Sequence, residues 1–341
     1  MPFFETDKDV VPDPPCSLEQ IEEAAFQFFR QQGFPYKQVP LHVAMQTVND
    51  LSTMSRDKLM NTLLGYDVAD TYHPHRFHTP VIRGAKKDGS LSLSKSQYDS
   101  WNLDQDLRKM LRMDLETGSI SDRRPGMMAL TNGTQSPSNF RPGFALFLYR
   151  KFCKPESVIL DPCTGYGGRL VAFFASGCQR YIGIDPNTQT YESNVRMAQE
   201  LGFADKVELH NLPVEDVDLE VVRDRCDFSF TSPPYFCKEY YSDQDTQSCN
   251  RYKTGESWYK GFLLPFMELQ FVALKAGSYC CVNIADVKIG KDKYPLADWT
   301  KKAGQKVGFD FLGERGFQLG GLTMGVKDRK SQREPVFVFR K

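Results

Sequence analysis

Apolar positions fall into two textures along this chain. From Ser17 to about residue 120 they recur at helical spacing. In SLEQIEEAAFQFFRQQ, Ile21, Ala24, Ala25 and Phe28 lie three or four apart. Ser17 with Gln20 has capping-box spacing, so a helix opens there. PLHVAMQTVNDL, SRDKLMNTLLGY and LDQDLRKMLRMDL predict further helices, with a loop-rich break from Asp70 to Ser94. Beyond the Gly/Asn/Ser/Pro-rich stretch TNGTQSPSNFRPG, short β-rich apolar runs alternate with helical ones. The order is SVILD, a helix after Gly168, RYIGID, a helix over TQTYESNVRMAQELG, KVELH and CDFSFT. A polar loop, a helix around GFLLPFMELQFVALKAG, the strand YCCVNIAD and a last strand PVFVF complete it. Alternation of this kind predicts an α/β fold with a mostly parallel sheet covered on both faces, binding its ligands at the carboxyl ends of the strands. The expected layout is a loose tail over 1–15, a mainly helical region over 16–125, which could serve target recognition, and the α/β domain over 126–341.

Composition adds exclusions. The 341 residues hold 43 basic and 43 acidic side chains, so the chain is not a strongly cationic, histone-like protein. With 40% apolar residues a sizeable core can form. No apolar run reaches the ~18 residues of a membrane helix, and the acidic, proline-rich start has no signal-peptide pattern. Nine scattered cysteines without a CxxC pair suggest neither a disulfide framework nor a zinc ribbon, and a reduced, cytoplasmic setting is expected. Charge is uneven, however: Lys288 to Lys341 carries 13 basic and 6 acidic residues. A polyanion could dock there, or the segment could be a solvated face.

Three motifs carry candidate chemistry. In Val158-Ile-Leu-Asp161-Pro162-Cys163-Thr164-Gly165-Tyr166-Gly167-Gly168 a strand ends at an aspartate and a glycine turn leads into a helix. Its glycines let backbone approach a ligand closely, though an ordinary tight turn would look similar. The next strand ends in Asp185-Pro186-Asn187, where an acid can accept from two ribose hydroxyls or cap the following helix. After the third strand, Glu215-Asp216 could meet an adenine amino group or be a surface acid pair. The fourth strand ends in Thr231-Ser232-Pro233-Pro234-Tyr235. Consecutive prolines contribute no N–H donors, so this turn offers carbonyl and hydroxyl acceptors beside an aromatic face, which suits a planar ring bearing an amino group.

The D-x-x-x-G-x-G spacing resembles motif I of class I methyltransferases that use S-adenosylmethionine. Residues 136–341 resemble the DNA amino-methyltransferases that modify cytosine N4 or adenine N6, whose (D/N/S)-P-P-(Y/F) motif is matched by Ser232, Pro233, Pro234 and Tyr235. The resemblance implies a class I Rossmann-like domain and S-adenosylmethionine as cofactor. It assigns cofactor contacts to Phe140 and Arg141 (in SNFRP, similar to motif X), Asp161, Pro162, Thr164, Gly165, Gly167, Asp185, Pro186 and Asp216. Serine at the first motif position leans towards cytosine. The implied substrate is duplex DNA with the target base flipped out, in a prokaryotic or phage-type, nucleoid-associated setting such as restriction–modification. Aromatics interleaved with cations nominate Phe236, Lys238, Tyr240, Arg251 and Lys253 for nucleic-acid contact, with core packing as the other reading of the rings. No target-recognition insert lies between Asp216 and Ser232, so recognition would fall to the helical region, to loop 236–258 or to a partner chain; no oligomeric state is implied. Cys163 reads as packing rather than a nucleophile, and His73, His75 and His78 as packing or phosphate contact rather than metal ligands. An RNA base methyltransferase and a binding-only protein of the same fold are the alternatives.

Overall fold

The computed structural model describes residues 17–86, 91–116, 134, 136–318 and 333–341. The expected tail over 1–15 lies outside them. The chain forms two compact units, Met1–Pro35 with Gln97–Thr134 and Tyr36–Ser96 with Gln135–Lys341, rather than dividing once near residue 125.

The smaller unit is helical. Ser17 caps helix Leu18–Gln32 as its spacing predicted: its Oγ accepts from the Gln20 N–H, and its own N–H donates to Gln20 Oε1. Helices Gln97–Asn102 and Asp104–Glu116 follow in the same unit. Trp101, 1% exposed, takes the rings of Phe29 and Phe34 edge-on at 6.1 and 5.7 Å. Arg30 ties the helices together by donating to Asp104 Oδ1 at 2.7 Å and to the Trp101 carbonyl at 2.6 Å.

The larger unit is built on a seven-stranded sheet. Along the chain its strands are β1 (Ile82–Ala85), β2 (Leu91–Leu93), β3 (Val158–Asp161), β4 (Arg180–Ile184), β5 (Val207–His210) and β6 (Cys226–Thr231). Then come β7 (Leu274–Asn283), β8 (Val287–Ile289), β9 (Asp292–Tyr294), β10 (Asp310–Gln318) and β11 (Arg333–Arg340). The main sheet runs β10-β11-β7-β6-β3-β4-β5, with β3 to β7 parallel and β11 antiparallel to both neighbours. This order with its single reversed strand is the class I methyltransferase fold. Antiparallel pairs β1–β2 and β8–β9 are separate hairpins.

Successive side chains of a strand face opposite sides, and both sides here are core. Ile159, Phe228, Phe230 and Val336 join one cluster; Leu160, Val282, Phe337 and Phe339 join the other. Full burial of each such side chain contributes roughly 1.5–3 kcal/mol. Two earlier helices are part of this packing: Ala44, Val48 and Leu51 of helix Leu41–Thr53 and Val68, Ala69 and Tyr72 of helix Tyr66–Tyr72 bury against the sheet's first face. That contact, invisible in local periodicity, assigns them to the sheet unit.

One element boundary and the elements between residues 287 and 318 depart from expectation. The helix over FLLPFMELQFVALKAG stops at Ala273, and β7 begins at Leu274 with an irregular register opposite Cys226 and Phe228 and Gly277 at φ +80°. The β8–β9 hairpin, helix Leu296–Val307 and β10 carry charged and glycine positions that masked their periodicity. Among the described residues no helix is long and apolar enough to cross a membrane.

Candidate active site

The turn after β3 is held from beneath by buried charge. Asp161 is fully buried, and its Oδ2 accepts from Arg169 Nε at 2.7 Å and from the Tyr181 hydroxyl at 2.6 Å. Arg169 also donates to the carbonyls of Cys163 and Thr164, so one guanidinium fixes both the carboxylate and the turn backbone. Isolated charge is costly in such an interior and persists only when paired and hydrogen-bonded. Asp161 is therefore a scaffold for the turn, not a wall of the cavity, which corrects its expected role as a cofactor contact.

Gly167 needs the same correction. At φ +79° it caps helix Gly168–Phe174, and a Cβ there would lie 2.7 Å from the Met197 methyl. Gly168 is tighter still, with space for a Cβ only 2.0 Å from the Phe140 carbonyl oxygen. Gly165, at φ +55°, instead lines the cavity, and a Cβ there would meet only the Cys163 carbonyl oxygen, in ordinary contact at 3.9 Å.

Asn139 and Asn194 organise this turn, and neither was nominated as a site residue. Asn139 accepts from the Gly168 N–H at 3.1 Å and donates to the Tyr166 carbonyl at 2.9 Å. Asn194 donates to the Gly165 carbonyl at 3.0 Å, and its Oδ1 pairs with His73 Nε2 at 3.0 Å. Behind Asn139, Asp70 pairs with Arg76, which reaches the Pro137 carbonyl at 3.1 Å. Buried asparagines next to glycine turns are the signal that could have revealed this network.

Asp185 sits at the end of β4 beside the turn. It accepts from the Gly165 N–H at 2.8 Å and the Asn187 N–H at 3.0 Å, with the Thr164 hydroxyl at 3.4 Å. Burial pushes its carboxyl up to about 6 against the opposing pull of those donors. A carboxylate offers about four lone-pair sites, so acceptor capacity is left for donors from the cavity. Asn187 meanwhile caps helix Thr188–Glu200, so the capping and cavity roles fall on neighbouring residues rather than competing.

The acid pair after β5 divides differently from expectation. Glu215 lines the cavity, its side chain 6% exposed and its carboxyl raised by burial. Asp216 is exposed and held in a two-point pair with Arg251 at 2.7 and 2.8 Å, which lowers its carboxyl. Glu215 is the acid of the pair that faces the cavity, and Asp216 with Arg251 ties loop 236–258 to the turn after β5.

Ser232, Pro233, Pro234 and Tyr235 line the same cavity, of about 420 Å³, together with Asn283 from the end of β7. Asn283 Oδ1 accepts from the Ser232 hydroxyl at 3.4 Å and the Tyr235 hydroxyl at 3.3 Å, while its Nδ2 donates to the Pro335 carbonyl at 3.0 Å. That last bond fixes the amide orientation. Phe140, Arg141, Pro162, Thr164, Pro186 and Lys238 also face the cavity. Gln247 lines it too; it is 6% exposed and its Nε2 has no hydrogen-bond partner.

Loop 236–258 is less open than its composition implied. Phe236, at φ +53° and 4% exposed, packs on Trp258 at 5.8 Å and Tyr294 at 4.6 Å between ring centroids, so it is core and not a nucleic-acid contact. Arg251 is taken by the acids after β5, and the Tyr240 hydroxyl donates to Asp243 at 2.6 Å. Lys253 is exposed. Burial and the Asp185 and Asp161 carboxylates push the Cys163 thiol up, which opposes thiolate formation. His73, His75 and His78 separate onto Asn194, Thr190 and Tyr36, and no group of three or more His, Cys, Asp or Glu among the described residues could hold a metal.

The residues present fit a nucleoside-bearing sulfonium cofactor. Gly165 opens a close backbone approach, Asp185 has spare acceptor capacity for hydroxyls, and Glu215 and the unpartnered Gln247 amide offer polar contacts within a largely apolar wall.

No protein-family model matches the chain, and no curated protein matches it. Solved structures are similar to part of it. The [4+2]-cyclase SpnF is 11% identical with a TM-score of 0.43, over 59% of this chain and 81% of SpnF. TrmN from Thermus thermophilus is 20% identical with a TM-score of 0.41, over 59% of this chain and 48% of TrmN. Geranyl diphosphate C-methyltransferase from Streptomyces coelicolor A3(2), solved with S-adenosyl-L-homocysteine, is 12% identical with a TM-score of 0.42, over 58% of this chain and 77% of that enzyme.

Proposed function

We propose that this protein transfers a methyl group from S-adenosylmethionine to the exocyclic amino group of a base in DNA, cytosine N4 in preference to adenine N6. The observation that carries the reading is the juxtaposition in one cavity of Gly165, Asp185 and Glu215 with the acceptor-only turn Ser232-Pro233-Pro234-Tyr235. Bound there, S-adenosylmethionine would supply an activated sulfonium methyl. The chain's part is to prepare the nucleophile.

An exocyclic amino nitrogen is a weak nucleophile because its lone pair is delocalised into the ring. The Ser232 hydroxyl donates to Asn283, which turns its own lone pairs towards the cavity. Those lone pairs and the Pro233 carbonyl accept the two amino hydrogens, draw the nitrogen towards tetrahedral geometry and hold its electron pair at the reacting face. The methylated nitrogen, positively charged after transfer, sheds its extra proton to water, because the Ser232 hydroxyl and the Pro233 carbonyl accept hydrogen bonds but are too weakly basic to take the proton. Tyr235, oriented by Asn283, presents a stacking surface for the ring. Duplex substrate would have to release its base first, at about a few kcal/mol. The reading implies a DNA-modifying enzyme of restriction–modification, orphan or phage type, working in the cytoplasm against the nucleoid, with a partner chain able to add target recognition.

The test is incubation of the purified protein with unmodified DNA and, in parallel, RNA, in the presence of methyl-labelled cofactor, followed by nucleoside mass spectrometry. N4-methylcytosine is expected. N6-methyladenine would move the base assignment, label in RNA alone would replace DNA as substrate, and label in neither would refute the reading.

A further inference from the structure

Two small hairpins flank the catalytic turn and meet each other. The first, β1–β2, is stitched to the segment after the turn: Ile82 N–H donates to the Lys238 carbonyl at 2.8 Å, Tyr240 N–H donates to the Pro80 carbonyl at 3.1 Å, and Val81 bridges Glu239. The second, β8–β9, follows Asn283 by three residues and is anchored by Tyr294, whose ring packs on Phe236 immediately after Tyr235. The hairpins touch at two glycines. A Cβ on Gly84, at φ +145°, would lie 3.3 Å from the Gly290 Cα, and Gly290 is itself at φ +63°.

This paired edge is cationic. Residues 81–86 and 287–294 contain Arg83, Lys86, Lys288, Lys291 and Lys293 against the single acid Asp292, and all five cations are exposed. Val287, Ile289 and Tyr294 point into the core, which turns Lys288 and Lys293 outward. Those two lysines stand directly opposite one another in the β8–β9 ladder. Like charges in directly opposed cross-strand positions destabilise a pair of strands. A three-residue ladder that places lysine against lysine thus has a local cost that a polyanion would offset.

We propose that the β1–β2 and β8–β9 hairpins form one docking ridge for the phosphate backbone of DNA beside the base-accepting cavity. The inference rests on the proposed function and replaces Phe236 and Arg251 as nucleic-acid contacts. The ridge is tied to the catalytic turn at both hairpins, so phosphates seated on it fix the distance between the strand and Ser232. It reads charge rather than sequence.

The test compares the full chain with its Lys288→Gln/Lys291→Gln/Lys293→Gln variant. Duplex binding is followed by fluorescence anisotropy across salt concentrations, alongside cofactor titration, label transfer and thermal melting. The variant should bind DNA at least about tenfold more weakly, and its log–log salt slope should shrink by about 2–3, near 0.9 for each phosphate no longer neutralised. Cofactor affinity should not change, and the melting temperature should hold or rise because the opposed charges are gone. Equal DNA affinity and salt slope for both proteins, with methyl transfer to DNA intact, would overturn the ridge alone. A wild-type chain that labels neither nucleic acid yet binds DNA through these lysines would overturn the proposed reaction and leave the ridge standing. No DNA binding by the wild-type chain would overturn the ridge as well.

Discussion

Replacing Asp185 with Asn separates two effects of one carboxylate. In the wild-type fold burial raises this group from its ordinary 3.8 to about 6. An acid with a raised folded pKa holds its stability contribution below the unfolded value and loses it as pH climbs through the folded one. The window is therefore about pH 4 to 6, and two pKa units amount to about 3 kcal/mol. The substituted amide would not titrate, so this loss disappears. Against that, its NH2 would face either the Gly165 or the Asn187 N–H that the carboxylate now accepts, which costs about 1–3 kcal/mol. The two effects roughly offset near neutral pH, and the melting temperature there should stay within a few degrees. Cofactor binding should not be spared: losing hydrogen bonds to a charged acceptor costs about 1.5–3 kcal/mol, or roughly 10- to 150-fold in Kd. If only the ionised carboxylate serves the cofactor hydroxyls, wild-type affinity should also fall about tenfold between about pH 7 and pH 5, and the Asp185→Asn variant should show no such dependence. Calorimetric titration at several pH values measures both quantities. A variant Kd within twofold of wild type, or a wild-type Kd flat across that range, would remove Asp185 from the cofactor site.

Asn283→Ala should lower the single-turnover methyl-transfer rate by about 10- to 100-fold with cofactor affinity unchanged, because Ser232 and Tyr235 lose their common acceptor; an unchanged rate counts against the orienting role. Arg169→Met leaves the fully buried Asp161 carboxylate without its cation, and denaturant unfolding should show a loss of about 3–5 kcal/mol. Phe236→Ala should cost a comparable 3–5 kcal/mol in the same measurement. Weakened DNA affinity in a Phe236→Ala protein of undiminished stability would restore that ring as a contact.

The sheet was legible because its strands are apolar at consecutive positions, as burial on both faces demands, and because β3 ends in Asp161 while β4 and β6 run directly into Asp185 and Ser232. The glycine turn, Asp185 and the Ser-Pro-Pro-Tyr turn converge in space as their strand order requires. Finer assignments depended on which way a side chain turns, which spacing does not encode. Asp161 and Glu215 show this: the first points down into an ion pair, and the second, rather than Asp216, points into the cavity. Aromatic loop residues were ambiguous for the same reason, since Phe236 and Trp258 have the composition of a binding loop and the burial of a core. Helices Leu41–Thr53 and Tyr66–Tyr72 join the sheet unit through helix Gly168–Phe174, a partner far along the chain that local spacing does not encode.

The position of β11 has a consequence for how the protein forms. Although it follows β10 in the chain, it lies between β10 and β7, with eight residue pairs on one side and five on the other. The sheet therefore cannot grow by adding each new strand to the last. While β11 is unplaced, β7 presents an open apolar edge and β10 lacks its partner, and such unpaired edges recruit other chains. Insertion of β11 closes both at once over a large sequence separation, a step that loop closure makes slow. Assembly of the catalytic unit is then governed by its final strand, and folding yield should be more sensitive to substitutions at Val336, Phe337 and Phe339 than to equally buried positions in β3.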